Sequence, residues 1–347
     1  MSLMVRKSGR LAILQREDGN VAGPWDGFAH RTANLLVGNG TRAAVLEMTL
    51  QGAVLEAQQE LLAAICGADM EAELDGERVP LWRPFRVPAG SLLSLGYAVQ
   101  GCRAYLAVAG GLDGARGDAA LQAGDVLSAG VPALPIRRLL QAWGQPRGRY
   151  AAPGYVSTYI RPAYAAIPTL RFIRGREAVS LTDESVRSLC AGSYKVALES
   201  SRRDCLLEGA KLALQAGAYG AAGMSIGSVG AESGSGPRNV SSVGAGPGAS
   251  SAAFGREAGD PVPGTLLLPA GGQPCLRMTS GPMTGVYAHI GRVISADLPL
   301  AAQVKPGGYV RFAEVSPQEE QTLQLLQELD LRYLQAGLKM WIHDEAK

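Results

Sequence analysis

Histidine is scarce: the 347-residue chain has three, His30, His289 and His343. Cysteines are few and scattered. Cys66, Cys102, Cys190, Cys205 and Cys275 are odd in number and never form a CxxC pair. A zinc centre draws on clustered His and Cys at short spacing, so no metal site is expected. The cysteine pattern reads as reduced thiols, which fits a cytoplasmic protein. A block of one charge sign is missing as well, since 33 Lys and Arg stand against 31 Asp and Glu. That balance argues against nucleic acid and against an anionic membrane as partners. No apolar run approaches the roughly 18 residues that span a bilayer, and no signal-like run follows residues 1–4. The pattern G-x-x-x-x-G-K-[ST] does not occur, which excludes a P-loop.

What the chain does have is 45 Gly and 20 Pro around a hydrophobic content of 47%. The length suits two domains and a sizeable core. Residues 264–312 carry the clearest pattern. Short apolar runs at 265–268, 275–278, 286–290, 293–295 and 309–312 are separated by Gly and Pro breaks. Runs this short read as closely connected strands. The same pattern recurs upstream, so a mainly β protein is expected, with few short helices and a C-terminal helix.

Taken in order, residues 5–15 read as a first strand. Residues 24–38 read as a helix, capped by Asp26 at its start and Gly38 at its end, with Phe28, Leu35 and Leu36 turned inward. Asp75-Gly76 between extended runs is a hairpin signal, and 101–111 reads as a buried strand ending in a tight loop. Residues 132–168 are proline-rich without a period. The expected organisation is a β-rich unit over 1–130, a linker over 131–165 and a second β unit over 166–338. Residues 182–190 read as a short helix with Thr182 as N-cap. Asp297, before Leu298-Pro299, reads as a turn residue. Residues 317–338 have helical spacing, with Leu323, Leu326, Leu329 and Leu334 on one face. Residues 216–260 differ in composition: of 45 residues, 30 are Gly, Ser or Ala. Such a segment buries little apolar surface and reads as a flexible insertion.

Several constellations carry possible chemistry. Gly223-Met224-Ser225-Ile226-Gly227 matches G-x-S-x-G, but a nucleophile elbow needs a strand before it and a helix after it. Its Gly, Ala and Ser flanks make Ser225 a coincidence of composition. Arg202 has a fork that suits a carboxylate or phosphate, or alternatively a structural ion pair with Glu208. Thr284, Tyr287 and Gln303 offer neutral hydrogen bonds to a small amide or carboxylate, or else satisfy turn backbones. His289 alternates with Tyr287 on one strand face.

The order of short motifs resembles the KipA, or allophanate hydrolase subunit 2, family, which includes biotin-dependent carboxyltransferases and the C subunit of 5-oxoprolinase. In the C-terminal stretch the pattern rests on Gly264, Pro269, Gly272, Pro274, Thr284, Gly285, Tyr287, residues 293–298, Ala302, Gln303, Pro306, Gly307, Arg311 and Phe312. Upstream, residues 33–39 (ANLLVGN), 67–69 (GAD), 74–76 (LDG) and 101–111 (GCRAYLAVAGG) fit it too. In residues 200–209, Ser200, Arg202, Leu207 and Gly209 match. The resemblance implies barrel units of cyclophilin-like character. It implies the role of a C-type subunit in an ATP-dependent 5-oxoprolinase, or of a urea carboxylase-type carboxyltransferase, acting with a KipI-like (allophanate hydrolase subunit 1-like) partner. ATP or the carboxybiotin of that partner would be the cofactor, with none bound tightly by this chain. The candidate ligand residues are Arg202, Glu208, Thr284, Tyr287 and Gln303, and no catalytic residue is assigned. The chain also departs from the family. Arg16 stands where the family has Asp, a G-S-R-S-T-D loop is missing after Gly111, Ser280 replaces an Asp, and Val286 replaces a Gly. Those departures fit an alternative, a non-catalytic binding or regulatory subunit.

Overall fold

The chain opens by crossing between two sheets. Strand β1 (Ser2–Lys7) lies in one and β2 (Leu11–Gln15) in the other. The single strand expected over 5–15 is therefore two, because each half turns its apolar face to one shared core from opposite sides. The structure, a computed structural model, describes residues 2–17, 23–114, 119–143, 151–152, 154–175, 181–215, 261–281 and 287–345. The 216–260 insertion with its Ser225, and Thr284 and Val286, lie outside the described residues.

After β2 come helix α1 (Gly27–Leu36), β3 (Val45–Thr49), β4 (Val54–Ala57), β5 (Leu61–Asp69), β6 (Glu73–Leu74), β7 (Glu77–Arg78), β8 (Pro84–Val87), β9 (Leu92–Ser94), β10 (Gln100–Val108), β11 (Leu112–Asp113), β12 (Val126–Ala129) and helix α2 (Leu134–Ala142). The first sheet has the order β11-β12-β1-β4-β9-β6-β7 and the second β2-β3-β10-β5-β8. Their facing side chains, among them Val5, Leu55, Leu93, Leu46, Ile65 and Leu106, form one core. The outer face of the second sheet is covered by α1 and α2 over Leu62, Cys66 and Tyr105. Covering both faces makes β5 and β10 almost continuously buried. Local signals held here. Asp75 and Gly76 take φ of 51° and 85° and join β6 to β7, as a type I′ turn requires. Asp26 caps α1, its Oδ1 accepting from the Ala29 amide at 2.8 Å. Gly67-Ala68-Asp69, matched to the family pattern above, forms the end of β5.

Downstream, strands β13 (Thr169–Arg174), β14 (Ser193–Val196), β15 (Asp204–Glu208), β16 (Thr265–Pro269), β17 (Cys275–Arg277), β18 (Tyr287–Val293) and β19 (Tyr309–Glu314) form a closed barrel in the order β13-β18-β16-β17-β15-β14-β19. Strand β18 takes in most of the run expected at 286–290 and continues to Val293, while Ser295 begins a 3-10 turn. Parallel pairing of β13 with β19 closes the ring, and Phe172, Tyr194 and Phe312 stack edge-on inside it. Helix α3 (Asp183–Ala191) begins at Thr182, which accepts from the Ser185 amide at 3.2 Å. Replacing a Thr cap by Ala removes that acceptor and costs about 1 kcal/mol. Thr182→Ala is thus expected to lower the urea midpoint modestly, and an unchanged midpoint would mean the cap contributes nothing.

Asp297 is a turn residue, as read from the sequence, and it also anchors Arg171. It sits in a 3-10 turn, 1% exposed, and accepts from the Arg171 backbone amide at 2.7 Å and from Arg171 Nε at 2.9 Å. The short helix α4 (Leu298–Ala302) follows. The closing helix α5 runs Pro317–Glu345, longer than expected. It leaves the last barrel strand and lays Leu331, Leu334, Leu338, Trp341 and Ile342 against the core under α1 and α2. Leu326 and Leu329, read on one face with Leu323 and Leu334, are 53% and 42% exposed.

Candidate functional site

Strand alternation puts several charges where apolar residues would be usual. On β10, Ala104 and Leu106 face the inter-sheet core, while Arg103 and Tyr105 point outward. On β3 the same alternation leaves Glu47, opposite Tyr105, on that outward face. Glu47 and Tyr105 are fully buried and Arg103 is 7% exposed. They are enclosed where the barrel meets the second sheet. Trp25, just before α1, belongs to the barrel's apolar cluster, and the Arg103 guanidinium lies 3.8 Å from its ring centroid. Such a desolvated cation–π contact stabilises by about 2 kcal/mol.

Gln303, at the end of α4, plugs into this face. Its Oε1 accepts from the backbone amides of Cys102 (2.8 Å) and Arg103 (2.9 Å). Its Nε2 donates to Asp26 Oδ2 (2.8 Å) and to the Arg103 carbonyl (2.9 Å). An amide has two acceptor lone pairs and two N–H donors, so Gln303 is saturated by the protein. Two glycines make room for it. A Cβ on Gly101 (φ +73°) would stand 2.7 Å from Gln303 Oε1, and one on Gly67 (φ +92°) 2.4 Å from the Arg103 carbonyl. The β5–β10 register also shifts at this point.

Asp26 is the second node. It is fully buried, and besides Ala29 and Gln303 it accepts from the Tyr164 hydroxyl at 2.6 Å. Its own backbone amide donates to Tyr105 Oη at 3.0 Å. Burial is the largest influence on its carboxyl and outweighs these donors, so its pKa is raised to about 6. Burial works against the Arg103 charge, but Cys102, Glu47 and Tyr105 more than offset it and the pKa is raised.

Glu47 is held by arginines on two sides, Arg202 Nη2 at 3.5 Å and Arg103 Nε at 3.9 Å. Two buried polar atoms beside Arg103 have no hydrogen-bond partner among the described residues, Glu47 Oε2 and Trp25 Nε1. Buried polar atoms are normally satisfied, so each calls for a partner that a water or a ligand atom can supply. The Arg202 side chain, 24% exposed, is the charged contact of the cluster with solvent.

Of the five candidate residues, the structure brings Arg202 and Gln303 into one cluster. Arg202 pairs with Glu47. Glu208 ends β15 with its side chain 54% exposed and an ion pair to Lys195 at 3.6 Å. Tyr287 opens β18 opposite Pro269. Thr284 lies outside the described residues. The sequence reading did not single out Trp25, Glu47, Arg103, Tyr105 or Tyr164, and gave Asp26 a cap alone. Among the described residues no group of three His, Cys, Asp or Glu side chains could hold a metal ion, and no helix is long and apolar enough to cross a membrane.

Comparison with known proteins gives a consistent result. The family described as carboxyltransferase domain, subdomain A and B, matches residues 20–237 and 258–314. The chain is 27% identical to the C subunit of 5-oxoprolinase from Escherichia coli over 301 residues, 86% of this chain and 83% of that protein. Over 92 residues, 26% of this chain, it is 41% identical to urea amidolyase of Saccharomyces cerevisiae, but spans only 5% of that protein's length. The crystal structure of the K. lactis urea amidolyase matches with a TM-score of 0.73 at 21% identity, over 96% of this chain and 20% of that one. That last likeness concerns the fold alone.

Proposed function

The chain belongs to the family of carboxyltransferase domains, subdomain A and B, and from that premise we propose that it is a C-type subunit of an ATP-dependent 5-oxoprolinase. The related alternative is a biotin-dependent carboxyltransferase of the urea carboxylase type. The long match to the 5-oxoprolinase C subunit supports the first, and a protein named as a subunit implies a larger assembly. We assign a KipI-like protein as the partner, and a cytoplasmic setting.

One observation carries the ligand class. Among the described residues Glu47 Oε2 has no donor and Trp25 Nε1 no acceptor, and both residues lie beside Arg103. An amide supplies both at once, an N–H for the carboxylate and a C=O for the indole. Arg202, at the edge with solvent, then suits the carboxylate that 5-oxoproline also carries. Arg103 is enclosed and stacked on Trp25, so Arg202 alone at the opening fits a carboxyl group better than a triphosphate. ATP or carboxybiotin, brought by the partner, would supply an activated phosphoryl or carboxyl group. This chain's part is to hold and orient the small amide.

A second reading, a non-catalytic regulatory subunit, is favoured by the saturated Gln303 amide and by Ser280 where the family has Asp. Calorimetric titration with 5-oxoproline, with and without the partner, tests the ligand assignment. Arg202→Ala is expected to weaken binding about tenfold, the effect of losing about 1.4 kcal/mol at a charged anchor. No heat in any arm would sink the ligand assignment. Binding without turnover in the complete assembly with ATP would favour the regulatory reading, and turnover by the isolated chain would remove the need for a partner.

A further inference from the structure

Strand β17 carries a charge into a buried position. Alternation turns Leu276 and Met278 into the barrel core, so Arg277 points to the barrel's outer face, where it is nevertheless only 2% exposed. Burying a guanidinium requires protein acceptors in place of water for its N–H donors. Three groups among the described residues supply them. Asp204, its register partner on β15, accepts from Nη1 through both carboxylate oxygens, at 2.9 and 3.0 Å. The Thr279 carbonyl accepts from Nε at 3.0 Å and the Gly281 carbonyl from Nη2 at 3.2 Å. The segment after β17 thus curls around this guanidinium.

The same ion pair holds the bend that presents Arg202. Arg202 and Arg203 form that bend just before β15, and its ends are joined. The Ser201 amide donates to the Asp204 carbonyl at 3.0 Å, and Ser201 Oγ accepts from the amides of Arg203 and Asp204 at 3.0 and 3.1 Å. The bend is then fastened to β17 twice. The Met278 amide donates to the Arg203 carbonyl at 2.8 Å, and Asp204 pairs with Arg277. The second fastening is charged and is buried at its arginine end, which makes it the stronger of the two. From this bend Arg202 reaches Glu47 of the second sheet at 3.5 Å.

We infer that Arg277 is a positioning residue that makes the site selective for a lactam carrying a carboxylate. On the ligand reading proposed above, on which this rests, Arg202 meets the carboxylate of 5-oxoproline. An anion gains most from an arginine already held in place, because less freedom is lost on binding. Arg277 acts through Asp204 to fix the backbone from which Arg202 projects. It has no part in holding the amide, which falls to Glu47 and Trp25. Loss of Arg277 is therefore felt at the carboxylate.

The test titrates two ligands into the full-length protein by calorimetry: 5-oxoproline, and 2-pyrrolidinone, the same lactam without its carboxyl group. Arg277→Met is expected to weaken 5-oxoproline about fivefold, part of the roughly tenfold that Arg202 supplies, and to change 2-pyrrolidinone less than about twofold. In an Arg202→Ala background Arg277→Met should add nothing further for either ligand, because it acts through the residue already removed. A merely structural role would weaken both ligands, with or without Arg202. Because Arg277 is buried and its variant can fail to fold, a second variant, Ser201→Ala, loosens the same bend at an exposed position. It is expected to shift the ratio of the two affinities in the same direction. Amide hydrogen exchange, read with no ligand present, follows the bend directly: the Asp204 and Met278 amides should exchange about tenfold faster in Arg277→Met. Equal weakening of both ligands, additivity with Arg202→Ala, an unchanged ratio in Ser201→Ala or unchanged exchange in Arg277→Met overturns the inference. A parent protein that binds neither ligand overturns the ligand reading, and the selectivity falls with it, while the exchange rates still show whether Arg277 holds the bend.

Discussion

Gln303→Leu is expected to destabilise the protein by about 4 kcal/mol. The substitution keeps the shape of the plug and removes all four of its hydrogen bonds. It strands the Cys102 and Arg103 amides, the Arg103 carbonyl and one donor of Asp26. Each buried group left unpaired costs about 1–3 kcal/mol, and entering water recovers part of that. Other ties among the described residues include the Arg103 bond to the Ala302 carbonyl, the Lys305 bond to the Ala98 carbonyl, the Arg202–Glu47 pair and Trp25, and α5, which packs under α1 and α2 and pairs Glu328 with Arg31. Loosening the central tie should therefore also separate the unfolding of the two parts, seen as two denaturant transitions in place of one. Gln303→Glu should be worse near neutral pH, since it sets a second carboxylate against Asp26 and the Arg103 carbonyl. Gly101→Ala should reproduce the defect from the other side, because its Cβ would stand 2.7 Å from the plug's oxygen. A Gln303→Leu protein within about 1 kcal/mol of the parent, where surface substitutions usually fall, would mean that the plug is not a principal tie.

The mainly β architecture was legible because its signals are local. The Asp75-Gly76 turn, the Asp26 and Thr182 caps and the Gly- and Pro-punctuated runs each depend on a few neighbouring residues. Gln303 and Arg202 were legible as residues of interest, but not in their contacts, which join positions some 200 and 155 apart in sequence. Glu47 and Arg103 did leave a trace. Each is a charge inside a strand whose other residues are mostly apolar (VLEMT and GCRAYLAV), and a charge at such a position is buried with a partner or a purpose. Trp25 and Tyr164 left none, because an aromatic residue in a proline-containing segment is common. Gly67 and Gly101 were legible as matched family positions, while in the structure they clear space for a side chain from the barrel. The faces of α5 could not be told apart, because both are apolar and only the position of α1 and α2 decides which one turns inward.

The stability of the parent should respond little to Asp26 and His30 between about pH 6 and pH 4, and single substitutions should uncover two opposite dependences. Asp26 has its pKa raised from 3.8 to about 6, chiefly by burial. The folded state then holds a proton that the unfolded chain releases, so its contribution is fully present below the unfolded pKa and is lost as pH rises through about 6. His30, packed edge-on to Tyr105 at 6.5 Å, has its pKa lowered from 6.5 to about 4, again chiefly by burial. The Gln15 and Ala43 carbonyls favour its charged form, but neither ring nitrogen makes a hydrogen bond of good geometry. Here the unfolded chain binds the extra proton, so the contribution is present above the unfolded pKa and is lost as pH falls through about 4. Each displacement of about 2 pKa units corresponds to about 3 kcal/mol, and the two oppose each other over the same window. Asp26→Asn should leave the His30 dependence exposed, so that its unfolding free energy falls by about 3 kcal/mol from pH 6.5 to pH 4. His30→Gln should show the reverse, gaining about 3 kcal/mol as the pH drops over that range. The readout is the slope of stability against pH from urea unfolding, which is insensitive to the constant cost each substitution carries. Parallel curves for parent and both variants would show that neither group titrates with a displaced pKa in the folded protein.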